Sequence, residues 1–263
     1  MKKFLTILGI MLFLTACGTS ENTPAIDQEE AYQFHHQEDG MELTAEITVG
    51  ETIKVSAALE NVSDQPIIYN GRCGIPFQIF VQMNGSNATL QNKKQTAPKE
   101  CTDIFDPNDL EEFAAGETIE KNVSYIRKFS LHGENLQAHN GEYKIHFFFH
   151  SHDGDNITAD YPFTLINQDE PDILTIEQAK AMALEYEKTA EWYEKQQEKG
   201  LTIKAEEAIL SSSGWHLPFQ AMDDTFVHRV IVGVNYESGK IVDYHTEKIE
   251  RKYWEDATST TQD

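Results

Sequence analysis

The sequence predicts a mainly β protein, a sandwich or barrel followed by a small α+β unit, and three patterns predict it. Residues 41–167 alternate apolar and polar side chains, with turn formers at regular intervals, as short antiparallel strands do. Residues 175–198 switch to apolar positions three and four apart, a helical spacing. Residues 226–249 return to alternation on either side of Glu237-Ser238-Gly239, which reads as a hairpin. At 263 residues the chain is long enough for two units, and its 40% hydrophobic and 10% aromatic residues can supply their cores.

The chain opens with an export signal. Lys2 and Lys3 precede a largely apolar run from Phe4 to Leu14, too short for the roughly 20 helical residues that cross a bilayer core. Leu14-Thr15-Ala16-Cys17 follows and resembles a bacterial lipobox. The resemblance implies cleavage after residue 16, diacylglycerol on the Cys17 thiol, and a chain anchored at the extracytoplasmic face of the cell membrane. Two or more acyl chains hold firmly where one binds only marginally. Residues 1–16 are thus a lipoprotein signal peptide. Residues 17–40 have little to bury and are expected to form a lipidated flexible tether, with His35-His36 solvated within it rather than binding metal.

Lysine and arginine number 21 against 44 aspartates and glutamates, a formal charge of −23 that becomes −25 when Lys2 and Lys3 leave with the signal. Phosphate recognition needs clustered cations, so nucleic acid is excluded as a partner. The acid is spread over the tether and both units, and no segment offers a basic patch.

With Cys17 given to lipid, Cys73 and Cys101 remain as an even pair in an oxidising exterior, where a disulfide persists. Closing that loop of about 28 residues stabilises by about 3–4 kcal/mol in the chain-entropy model. The alternatives are a metal pair, which lacks the nearby Cys or His that would complete a tetrahedral set, and two separate buried thiols.

Within the first unit, residues 53–59, 77–81 and 143–149 are expected strands, and Asn61-Val62-Ser63-Asp64-Gln65-Pro66 is an expected turn. That turn, the apolar strand from Phe77, Ala115-Gly116-Glu117-Thr118 before another strand, and Gly141-Glu142-Tyr143 opening the next resemble BsuPI-type domains, named for an intracellular proteinase inhibitor. The resemblance implies an immunoglobulin-like β-sandwich over residues 41–167. It carries over no inhibitory residue, because this chain is exported and its segment between Cys73 and Cys101 is long. His146, His150 and His152 share a strand face, with Asp153, Asp155 and Asp160 following. Imidazoles and carboxylates suit a transition metal, but His146 and His150 lie about 13 Å apart on a strand. Only His150 and His152 with Asp153 or Asp155 could converge on a metal, and Asp153-Gly154-Asp155-Asn156 is also the composition of a hairpin turn.

Residues 168–172 read as an acidic, Pro-containing linker. Thr175-Ile176-Glu177-Gln178 matches a capping box, and Ala179, Ala183, Tyr186, Ala190 and Tyr193 line one face of a single helix that runs to about Glu198 and stops at Gly200. A strand containing Trp215 and the hairpin with Ser238-Gly239-Lys240 follow. Residues 173–254 resemble the small α+β PepSY-type module, which implies association with protease restraint or propeptide-like roles. His228 reads as a structural histidine, and residues 255–263 as a disordered tail.

No G-x-S-x-G, H-E-x-x-H, GxxxxGK[ST], GxGxxG or CxxC occurs, and no cofactor is implied. The expectation is a non-enzymatic, lipid-anchored extracytoplasmic lipoprotein that binds a protein or peptide partner. The competing expectations are an extracytoplasmic protease inhibitor and a metal-binding lipoprotein.

Overall fold

Eleven strands precede the first helix in the computed structural model, which describes residues 30–94, 106–131, 134–152, 154, 156–166 and 173–254. They are β1 (Glu30–Glu38), β2 (Met41–Val49), β3 (Thr52–Asn61), β4 (Ile67–Asn70), β5 (Phe77–Met83), β6 (Leu90–Asn92), β7 (Leu110–Phe113), β8 (Thr118–Leu131), β9 (Glu134–Gln137), β10 (Gly141–His150) and β11 (Asn156–Leu165). One antiparallel sheet runs β1-β2-β3-β8-β6 with β9 added on β8, a second runs β11-β10-β5, and β4 pairs with β7. The inward positions are the alternating apolar ones: Leu43, Ile47, Val55 and Leu59 on the larger sheet, and Ile79, Val81, Ile145 and Phe147 on the smaller. This mainly β, multi-sheet arrangement fits a sandwich.

The expected tether over residues 17–40 needs correction. Residues 30–38 form β1, which turns through Asp39 (φ 46°) and Gly40 (φ 74°) so that Glu38 faces Met41. Two consecutive positive φ angles make the tight turn whose twist suits a two-residue hairpin, and Asp-Gly suits those angles. Side-chain packing explains why the strand is held. Phe34 stacks on Phe147 at 5.4 Å and meets Tyr161 edge-on at 5.6 Å. The Glu38 carboxylate accepts the Thr158 N–H at 3.2 Å. Strand β1 therefore links the larger sheet to β11 of the smaller one. Elsewhere the sheets are joined by Tyr125, whose hydroxyl donates to the Ile79 carbonyl.

Asn61 organises the expected turn. It is fully buried, and its amide donates to the carbonyls of Phe113 (2.8 Å) and Gln65 (2.9 Å) while its side-chain oxygen accepts from the Ser63 backbone N–H (3.0 Å) and hydroxyl (2.7 Å). Its backbone pairs with the other quoted motif, receiving the Gly116 N–H at 2.8 Å and donating to the Glu117 carbonyl at 3.0 Å.

The remaining elements are α1 (Ile176–Glu185), α2 (Glu187–Glu198), β12 (Ile203–Ala205), β13 (Ile209–Ser211), β14 (Gly214–Met222), β15 (Phe226–Val234) and β16 (Ile241–Glu250). The sheet order is β12-β14-β15-β16, with β13 on β14. Thr175 and Gln178 form the expected capping box. The single helix expected over these residues is broken at Tyr186, whose extended backbone (φ −68°, ψ 124°) ends α1 and begins α2. The break slips the buried stripe by one residue. After Ile176, Ala179 and Ala183 it continues through Thr189, Trp192 and Gln196, and the Tyr186 ring swings edge-on to Tyr244 at 5.7 Å. Gly200 (φ 72°) stops α2 as expected, with the Leu201 N–H reaching back to the Gln196 carbonyl at 3.1 Å.

The linker 168–172 lies outside the described residues, and the segments on either side of it are joined directly. Ala208, fully buried, donates its N–H to the Gly85 carbonyl (2.9 Å) and accepts the Asn87 N–H (3.0 Å). The Asn87 side chain accepts the Leu210 N–H at 2.8 Å. His139 sits between the sheets, its Nε2 at 3.0 Å from the Ile173 carbonyl and its ring 6.0 Å from that of Trp215. Trp215 Nε1 donates to the Leu174 carbonyl at 2.7 Å. One continuous hydrophobic cluster runs through both segments.

Two predictions follow from these buried polar groups. Asn61→Ala removes the buried donor to the Phe113 carbonyl, while the Ser63 hydroxyl still serves that of Gln65, and chemical denaturation should report a loss of about 1–3 kcal/mol. His139 has no partner for Nδ1 among the described residues. Burial pushes its pKa below the ordinary 6.5, opposed by its bond to Ile173 and by Glu177. The unfolded chain then takes up a proton that the folded chain refuses, so this contribution to stability is present above pH 6.5 and declines as pH falls through it. Urea midpoints at pH 7.5 and 5.5 should show a drop that is smaller in His139→Gln. An equal drop in both proteins would remove His139 as the cause.

Candidate functional site

Among the described residues, those singled out by sequence do not assemble into one site. Cys17 lies outside the described residues. Cys73 is disulfide-bonded, while Cys101 lies outside the described residues. His150 is exposed at the end of β10, stacked on Phe148 at 6.0 Å, and the His152 backbone N–H is committed to the Ile68 carbonyl at 2.7 Å. Asp153 and Asp155 lie outside the described residues, and among those described no group of three His, Cys, Asp or Glu side chains is placed to hold a metal. His146 is paired with Asp160 at 2.5 Å, and His35 with Glu42 at 3.0 Å. Burial works to raise the Asp160 pKa, but Lys144 and His146 outweigh it and hold the carboxyl below its usual range.

A different site is built where α2 lies beside β16. An open groove of about 630 Å³ is lined by Lys188 and Lys195 from α2, Lys199 at its C-cap, Lys248 from β16, and the rings of Trp192 and Tyr244. The helix sets the lysines out at intervals of seven and four residues, close to one face. The strand supplies the opposite wall. His228 pairs with Lys248, Val230 with Thr246 and Val232 with Tyr244, so these side chains share the sheet face on which the buried Val230 and Val232 lie.

The electrostatics of this groove run against those of the whole chain. None of the four lysines has a carboxylate within 4 Å among the described residues. Lys188 lies over the Tyr244 ring at 5.7 Å and Lys248 over the Phe226 ring at 3.6 Å, while Lys199 donates to the Gln196 side chain at 3.1 Å. Glu247 touches the groove, but Arg229 Nη1 takes its carboxylate at 3.1 Å. That guanidinium also holds Glu206 at 2.6 and 3.0 Å; burial opposes its charge, yet Glu206 and Glu247 prevail and raise its pKa. Glu191 is the other acid along the lining. Four of the ten lysines and arginines after residue 167 therefore meet here, and the expectation of no basic patch needs correction. Counting charge by segment averaged over a cluster that α2 and β16 bring together, although the spacing of Lys188, Lys195 and Lys199 was visible.

The arrangement holds no activated nucleophile and no acid–base pair facing an enclosed volume. It can desolvate and neutralise an anionic group against aromatic surface. At its end, His228 Nε2 meets Asp223 at 3.0 Å, and Asp223 also accepts the N–H groups of Thr225 (2.8 Å) and Phe226 (2.6 Å).

No protein-family model, curated protein or solved structure matches the chain.

His228, followed by the two backbone donors, pushes the Asp223 carboxyl down to about 2. Carboxyl-carbon NMR should place its titration near 2, and His228→Ala should move the midpoint upward while leaving the two backbone bonds in place. An unchanged midpoint would mean that the imidazole does not govern this carboxylate.

Proposed function

We propose that this chain is a non-enzymatic lipoprotein, held by lipid on Cys17 at the extracytoplasmic face of the membrane, that binds an acidic protein or peptide partner in the groove between α2 and β16. The observation that carries this reading is the set of four lysines that have no carboxylate partner among the described residues, in a chain whose charge becomes −25 once residues 1–16 are removed. Acids outnumber bases more than two to one, so a lysine left to chance has many carboxylates available. Keeping four together without one concentrates positive potential in one cleft, where an anionic group is drawn in and held. The anchor places the cleft at the membrane, and the surrounding acid keeps it from lying on anionic headgroups.

Residues 41–167 are read as an immunoglobulin-like sandwich of BsuPI type, supported by the meeting of Asn61 with Gly116 and Glu117. Residues 173–254 are read as a PepSY-type α+β module, supported by two helices beside an antiparallel sheet.

The test is made in the producing cells. Cys17→Ser should release the protein into the soluble extracytoplasmic fraction. A photo-crosslinker at Glu191 in the anchored protein should capture a defined partner, and Lys195→Glu with Lys199→Glu should reduce capture by about tenfold or more, equivalent to about 1.4 kcal/mol. Retention of Cys17→Ser in the membrane would contradict the anchor, and capture indifferent to the lysines would contradict the groove.

A further inference from the structure

The wall of the groove opposite α2 is also the end of a sheet. In the order β12-β14-β15-β16, strand β16 is terminal, and among the described residues only β15 pairs with it. A β-bulge opposite Gly233 and Val234 sets Val242 out of register, and pairing is regular from Asp243 to Glu250. Of the eight residues 243–250, alternate ones therefore direct their N–H and C=O groups to the side away from β15. An edge of this kind is a template for another strand. Edges are commonly shielded by charge, and here Lys248 and Glu250 stand on the groove face of the strand, Glu250 paired with Lys252 at 3.0 Å, while Lys188, Lys195 and Lys199 stand above the same face.

We infer that the partner segment binds as an added strand on β16, extended along residues 243–250, with acidic side chains at alternate positions directed at Lys188, Lys195, Lys199 and Lys248. This rests on the partner-binding role of the groove proposed above and specifies its mode. Alternate residues of a strand lie on one face and about 6.8 Å apart. A segment with carboxylates at positions i, i+2 and i+4 therefore spans about 13 Å. Along α2, Lys188 and Lys199 are eleven residues apart, about 16 Å at the helical rise. The two spacings match closely enough for three carboxylates to meet three flexible ammonium groups. Tyr244 fixes one end of the match, because Lys188 lies over its ring at 5.7 Å and its hydroxyl bonds the Lys188 carbonyl at 2.9 Å. Main-chain pairing gives such a complex its affinity, and the alternate side chains give it selectivity. The occupant is thus a segment that alternates acidic residues with small polar or β-branched ones. A compact anion such as phosphate does not meet the description.

The test uses the full mature chain in detergent and a capped decapeptide alternating Glu and Thr. Two further decapeptides carry N-methyl groups on alternate residues, one blocking each edge of the extended peptide. The parent peptide should bind, should slow amide hydrogen exchange at alternate residues within 243–250, and should lose at least tenfold in affinity to Lys195→Glu with Lys199→Glu. One of the two N-methylated peptides should lose at least tenfold and the other should retain most of its affinity. Lysine-dependent binding with unchanged exchange along β16 and equal affinity for all three peptides overturns strand addition while leaving the groove as a binding site. Absence of parent-peptide binding at millimolar concentration overturns both.

Discussion

The structure turns on the seam at Ala208. Its two backbone bonds, to Gly85 and from Asn87, fasten the turn after β5 to the segment before β13. The Trp215 indole and the His139 imidazole are bonded to the neighbouring carbonyls of Leu174 and Ile173 just ahead of α1. Because Ala208, Trp215 and His139 are buried, each needs its partner, and a separation of the segments would break all of these bonds together. The sheet that floors the groove is thereby fixed to the sandwich at its β13–β14 end. Among the described residues its last strand pairs only with β15, and α2 presents its lysines beside it.

Charge supplies the second constraint. A chain of net charge −23 repels other acidic molecules, with a reach set by the Debye length of about 8 Å at physiological ionic strength. Inside the groove four ammonium groups stand with Glu191, and the Glu247 carboxylate is turned to Arg229. Within that distance the local sign decides, so the partner proposed above would be repelled by most of the surface and drawn to this one place. Specificity of this kind comes from the mismatch between the groove and its surroundings.

Much of the fold was legible because local and tertiary requirements agree. Thr175 and Gln178 cap a helix through side chains that can do little else, Gly200 takes a positive φ that favours glycine, and Asn61 forms a turn with its own neighbours. Strand β1 was harder. Tyr32 and Phe34 alternate with polar residues as any half-buried strand does, and Asp39-Gly40 marks a hairpin, but Glu and His at the intervening positions resemble a solvated tether. The break at Tyr186 has no local signature, since Ala, Met, Leu, Glu and Lys around it all favour helix, and it arises from packing against Tyr244. The groove needed the third dimension: Lys248 is remote in sequence from α2, and only the antiparallel return of β15 and β16 brings it across from Lys195 and Lys199.

The most direct measurement sets the local sign against the global one. Calorimetric titration of the protein at physiological salt with two decapeptides of equal length, one alternating Glu and Thr and the other Lys and Thr, separates them. The acidic peptide should bind and the basic one should not, despite the net charge of −23. Preferential binding of the basic peptide would mean that the overall acidity governs recognition and that the lysines of α2 and β16 do not form the site.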